Sequence, residues 1–146
     1  ENIFVKRHHR NENEFYDDLI SKLFENKLHV AAENKIYFAV RGNRQRQAPL
    51  EQAILTAKKQ FETKKQTTIN TAIVVQAQTP KGEPCLQIID YVNWAIQRSY
   101  LKKEMRFLSV IRDKIKYLVD IYDSDKYPNN FYSKTNKFDI NKISPL

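Results

Sequence analysis

Helix, strand, helix, strand, helix is the order in which this sequence arranges its apolar patterns, and that alternation predicts an α/β domain whose strands are joined by helices. Two observations carry the prediction. Three stretches, 14–28, 49–66 and 84–97, place apolar residues at helical spacing, and between them lie two short β-branched or aromatic runs, 35–40 and 70–77. A length of 146 residues with 41% hydrophobic content is enough for one core, so a single domain over 1–146 is expected.

In EFYDDLISKLFENKL (14–28), Phe15, Leu19, Leu23, Phe24 and Leu28 recur on one helical face, and carboxylates in the first turn oppose the helix dipole. KIYFAV (35–40), bounded by Asn34 and Gly42, reads as a strand. The turn RGNRQRQA leads to Pro49 as the first residue of a second helix, with Leu50, Ala53, Ile54, Ala57 and Phe61 as its inner stripe. NTAIVVQA (70–77) contains the unbroken apolar run 72–75, which suits a strand covered on both faces. The break QTPKGEP opens the third helix. EMRFLSVIRDKI (104–115) predicts further helix, and KYLVDIYD (116–123) predicts a final strand or a continuation of that helix. The core is therefore expected over about 14–122, with 123–146, polar with scattered aromatics, as an irregular tail.

The formal net charge of +8 is unevenly spread. Residues 35–66 hold eight basic groups (Lys35, Arg41, Arg44, Arg46, Lys58, Lys59, Lys64, Lys65) against Glu51 and Glu62. A concentrated positive surface attracts polyanions, nucleic acid being the commonest in a cell; a solubilising surface is the alternative. No long apolar run and no apolar signal core appear, so no membrane partner and a cytoplasmic location are expected. The single Cys85 fits that compartment and reads as a small packed side chain. A start at Glu1 rather than Met suggests a product or remainder of a longer chain.

The third helix, PCLQIIDYVNWAIQ, carries two stripes. At 100° per residue Ile88, Ile89, Val92, Ala95 and Ile96 share one arc, expected to face the core, whereas Gln87, Asp90, Trp94 and Gln97 share another. A carboxylate between amides on a rigid helix can ligate a hard cation such as Mg²⁺, and a solvated polar face is the alternative.

The string EPCLQIIDYVNWAIQRSY resembles the hallmark helix of the domain-of-unknown-function family numbered 3800, whose Gln-x-x-Asp motif is here Gln87 and Asp90. Upstream, EFYDDLISKLFEN, IYFAVRGNRQRQAPLEQAI and IVVQAQTPKGEPCLQIIDYVNWAIQR extend the likeness to about residues 14–122. The resemblance implies a ribonuclease-H-like three-layer α/β fold and metal-dependent hydrolysis of nucleic acid. Asp90 would then ligate Mg²⁺ or Mn²⁺, while Gln87 and Asn93 orient the ligand or a metal-bound water. Family members carry an N-terminal strand ending in Asp-Glu, which nothing in ENIFVKRHH matches, and many have an acid where this chain has Ala39. Cleavage by two metals needs several carboxylates, so the chain as given is expected to be inactive unless an absent segment or another chain supplies them.

The turn RGNRQRQAP is the other candidate site. Arg41, Arg44 and Arg46 alternate with amides just before a helix start, where guanidinium and free N–H groups can converge on phosphate, with Lys58 and Lys59 following on the helix. A non-catalytic nucleic-acid-binding module is therefore the second expectation. A third is a protein-interaction domain, or a homo-oligomer, using exposed Tyr91, Tyr100, Phe131 and Tyr132. Adjacent His8 and His9, isolated His29, and serines without a glycine-flanked elbow give no catalytic pattern. Two glycines, Gly42 and Gly82, exclude a phosphate-binding glycine loop and a dinucleotide fingerprint.

Overall fold

The computed structural model describes residues 2–40, 46–79, 81–123 and 130–141, and it is mixed α/β. Two compact units divide the chain, Glu1–Glu83 and Pro84–Leu146.

The first unit is a helical pair laid on one face of a two-stranded parallel sheet. After a short helix α1 (Asn2–Lys6), the side chain of Asn11 accepts from the backbone N–H groups of Asn13 and Glu14 and starts α2 at Glu12–Phe24. The helix thus begins before the expected position and ends earlier, with Leu28 buried in the turn beyond it. Strand β1 (Glu33–Ala39) pairs in parallel with β2 (Ala72–Gln78), Ile36 opposite Val75, and α3 (Gln47–Lys65) makes the crossover that parallel neighbours require. Helix α3 starts two residues before Pro49, which occupies its first turn, where a missing N–H costs nothing. It ends at Gln66, whose left-handed backbone (φ 49°) lets Thr67 N–H reach the Glu62 carbonyl at 3.2 Å.

Ile36 and Phe38 of β1 join Ile20, Leu28 and the α3 stripe Leu50, Ala53, Ile54, Ala57 and Phe61 in one buried cluster, with Phe24, Ile73 and Val75 packed against it. The stripe of α3 is the one its sequence predicts. Strand β2 differs from expectation. Its burial alternates, with Ile73 and Val75 half-buried and Val74 exposed, because the helices packed on the sheet cover one face only.

The second unit begins with α4 (Pro84–Lys102), followed by α5 (Arg106–Ile111), a 3₁₀ turn (Arg112–Lys114) and a two-residue antiparallel ladder of β3 (Leu118–Val119) with β4 (Phe131–Tyr132). The strand expected over 116–123 shrinks to these two residues, and the tail supplies its partner rather than staying irregular. The expected apolar face of α4 is a correction. Ala95 and Ser99 are buried and Val92 and Ile96 half-buried, but Ile88 (64%) and Ile89 (50%) are exposed. The reason is length: α4 contacts α5, yet α5 spans about 9 Å against about 28 Å for α4. Ser99 donates to the Ile96 carbonyl at 2.7 Å, which satisfies its hydroxyl at zero exposure.

Just beyond α4, Glu104 is held by Arg98 of α4 and Arg106 of α5, and the Arg98 guanidinium lies 5.5 Å from the Trp94 ring centroid. The Arg98 hydrogen bond, with both guanidinium charges, keeps the Glu104 carboxyl below the usual range. Two of the four aromatics expected on the surface are not there: Tyr132 is buried and Tyr100 half-buried, whereas Tyr91 and Phe131 are exposed. Cys85, expected to pack, is exposed. Among the described residues no helix is long and apolar enough to cross a membrane.

Candidate nucleic-acid interface

Helices α2 and α3 run side by side in the same direction, since Asp17 in the middle of α2 meets Arg46 at the start of α3, and Glu25 just past α2 meets Lys64 near the end of α3. Their flank is strongly basic. Near the C-terminal ends a shallow hollow of about 510 Å³ brings Lys59 together with Arg7, Lys22 and Lys64 around two carboxylates, Asp18 and Glu25. Asp18 pairs with Lys22 and, at 3.8 Å, with Arg7, and Glu25 accepts from Lys64 at 3.1 Å. The carboxylates are the sheltered partners. Asp18 and Glu25 are 19% and 20% exposed and Lys22 is nearly as sheltered, whereas the side chains of Arg7 and Lys64 are 61% and 64% exposed, so the outward field is that of Arg7, Lys64 and Lys59.

His8 sits beneath this cluster. It is buried, its ring meets Phe15 edge-on at 5.4 Å, and its Nε2 lies 3.3 Å from Asp18 Oδ2 but outside hydrogen-bond alignment. This is a packed position rather than a ligating one. His29 likewise stacks on Phe61, with ring centroids 4.3 Å apart.

The residues expected to bind phosphate divide. Lys59 is exposed within the hollow. Lys58 lies 3.9 Å from Glu62, one turn away, and Glu62 also accepts from Ile69 N–H at 2.8 Å. Arg46 donates to Asp17 at 2.8 Å with its guanidinium 5.3 Å from the Tyr16 ring centroid, at the carboxyl ends of β1 and β2. Arg41 and Arg44 lie outside the described residues.

Gln87, Asp90 and Asn93 are all exposed on α4, three residues apart and therefore along one side of it. Among the described residues no group of three or more His, Cys, Asp or Glu side chains converges to hold a metal ion. One carboxylate with two amides is short of the donor set that a two-metal centre needs, so no catalytic step is derived through such a centre.

Arg7 and Lys22 were not singled out in the sequence, because the signal that joins them to α3 is tertiary. The Asp18–Lys22 pair follows the i,i+4 spacing of α2, but Arg7 reaches the same carboxylate from beyond α1, and the approach of this cluster to Lys59 and Lys64 of α3 is not recorded in any local spacing. Comparison of the chain with protein-family models, with curated proteins and with solved structures finds no match.

Proposed function

We propose that the chain is a nucleic-acid-binding module that acts through the basic flank of α2 and α3, with Lys59, Lys64 and Arg7 as phosphate contacts. The observation that carries this is the unequal exposure of the ion pairs, carboxylates sheltered and cations outward. Phosphate oxygens that replace those carboxylates as partners gain the cations without unburying an apolar group, and they release condensed counterions.

The ribonuclease-H-like architecture belongs to the same proposal. Its support is the parallel strand pair joined through a helix, followed directly by α4 with Gln87 and Asp90, the arrangement implied by the resemblance to the family numbered 3800. On this account binding precedes any chemistry, and Asp90 contributes at most one ligand to a Mg²⁺ or Mn²⁺ ion.

The test is Mn²⁺-dependent cleavage of labelled single- and double-stranded DNA and RNA, with binding scored in the same samples. Binding without cleavage, unchanged in Asp90→Ala and weakened in Lys59→Glu with Lys64→Glu, is the expected result. Cleavage lost in Asp90→Ala would replace the module by a hydrolase, and absence of binding to all four polymers would sink the proposal.

A further inference from the structure

The second unit contains a hollow that the proposed interface does not use. It lies wholly within residues 105–138 and has a volume of about 650 Å³, within the range of small-molecule sites. Its apolar lining comes from Leu108, Ile115, Leu118, Tyr132 and Phe138. Leu108 and Tyr132 are buried, and the Tyr132 and Phe138 rings meet edge-on at 5.0 Å. Three exposed cations, Arg112, Lys134 and Lys137, line the same space with one carboxylate, Asp113.

The arrangement follows from short elements. The 3₁₀ turn carries Arg112 beyond the end of α5, and β3 pairs with β4 for only two residues. The turn after β4 is fixed by Ser133 N–H donating to the Asn136 carbonyl at 2.7 Å, which sets Lys134 and Lys137 on either side of a closed loop. An apolar wall formed from packed helix and strand therefore meets a concentration of positive charge.

The geometry points to a binding site for a small organic anion with an apolar body, the body against Leu108, Tyr132 and Phe138 and the acid group against Arg112, Lys134 and Lys137. Neither half alone specifies such a ligand. The apolar wall would accept a neutral molecule as readily, and the cations would accept inorganic phosphate; together they favour a molecule that carries both parts. The site is independent of the basic flank of the first unit, so either proposal can fail without the other.

Two dyes of nearly the same shape test it on the full chain: 1-anilinonaphthalene-8-sulfonate, which is an anion, and N-phenyl-1-naphthylamine, which is neutral. The expected result is saturable binding of the anionic dye at one molecule per chain. Lys134→Glu with Lys137→Glu should weaken it by about tenfold or more and leave the neutral dye within about twofold. Ser109→Trp, on the exposed side of α5 and lining the hollow, should weaken both dyes while circular dichroism stays unchanged. Binding of the anionic dye that does not saturate at one per chain, equal loss of both dyes on charge reversal, or indifference of both dyes to Ser109→Trp would each overturn the assignment.

Discussion

Arg46 donates to Asp17 Oδ1 at 2.8 Å and places its guanidinium over the Tyr16 ring, which joins the start of α3 to α2. In sequence Arg46 belongs to an arginine-rich turn, and its type and place before a helix suit phosphate. In the structure its charge already has a partner. A part-exposed ion pair with a ring contact is worth about 1 kcal/mol, so Arg46→Ala should lower the stability of the first unit by about 1–2 kcal/mol in urea unfolding. Its effect on nucleic-acid affinity should be smaller than that of Lys59→Glu, measured by fluorescence anisotropy with the same polymer.

Gln47 completes the exposed edge of β2. Its side-chain amide donates to the Val75 carbonyl at 2.6 Å and accepts from Ala77 N–H at 2.8 Å, the pair of bonds that a neighbouring parallel strand would make. Gln47→Ala leaves both backbone groups to water and should cost about 1–2 kcal/mol. Reopening the edge should also raise light scattering on storage, since an unpaired edge recruits other strands.

Gln66 ends α3 in the left-handed region, where a Cβ is disfavoured. Gln66→Gly keeps the Thr67 to Glu62 bond, relieves that strain, and should raise stability by about 1 kcal/mol despite the added freedom of the unfolded chain. A downward shift of the urea midpoint would contradict this.

Tyr100 and Tyr132 govern the alkaline limit of the second unit. Burial first, and then the charge of Asp120, raises both phenols above the ordinary value of 10.0. For an acid whose folded pKa is raised, the stabilising difference is fully present below the unfolded pKa and is lost as pH rises from about 10 through the folded values. Alkaline titration should show these two tyrosines ionising together with loss of structure. Tyr100→Phe should make stability less dependent on pH in that window.

Much of the first unit was legible in the sequence because its signals are local. The stripe from Leu50 to Phe61 follows the helical period, and the β-branched and aromatic runs mark the strands, although β1 begins at Glu33 and so takes in Asn34, which was read as its boundary. The helix ends were less legible: Asn11 caps α2 through a side-chain bond that apolar spacing does not report. In the second unit the periodicity of α4 was correct, but burial depends on how far α5 extends, so Ile88 and Ile89 fell on the wrong side of the prediction. The β3–β4 ladder is two residues long and rests on a pairing from the tail, too short for any period to show.

The basic composition of 35–66 indicated a polyanion partner but not which cations face outward. Arg46 and Lys58 are largely sheltered in their ion pairs, whereas Lys64 and Arg7 stay exposed in theirs and Lys59 joins residues from α2 and from the segment after α1. That selection is tertiary. The Gln87 and Asp90 spacing is carried by α4 as expected, and sequence alone does not supply the further acids that a metal pair requires.

The most direct test of the basic flank is the salt dependence of binding to a labelled oligonucleotide, compared between the unaltered chain and Lys59→Glu with Lys64→Glu. With three phosphates neutralised, log affinity should fall against log salt with a slope of about −3, and the double variant should lose about two from that slope together with most of the affinity. An unchanged slope in the double variant, or binding insensitive to salt in the unaltered chain, would contradict the assignment of the flank as the nucleic-acid interface.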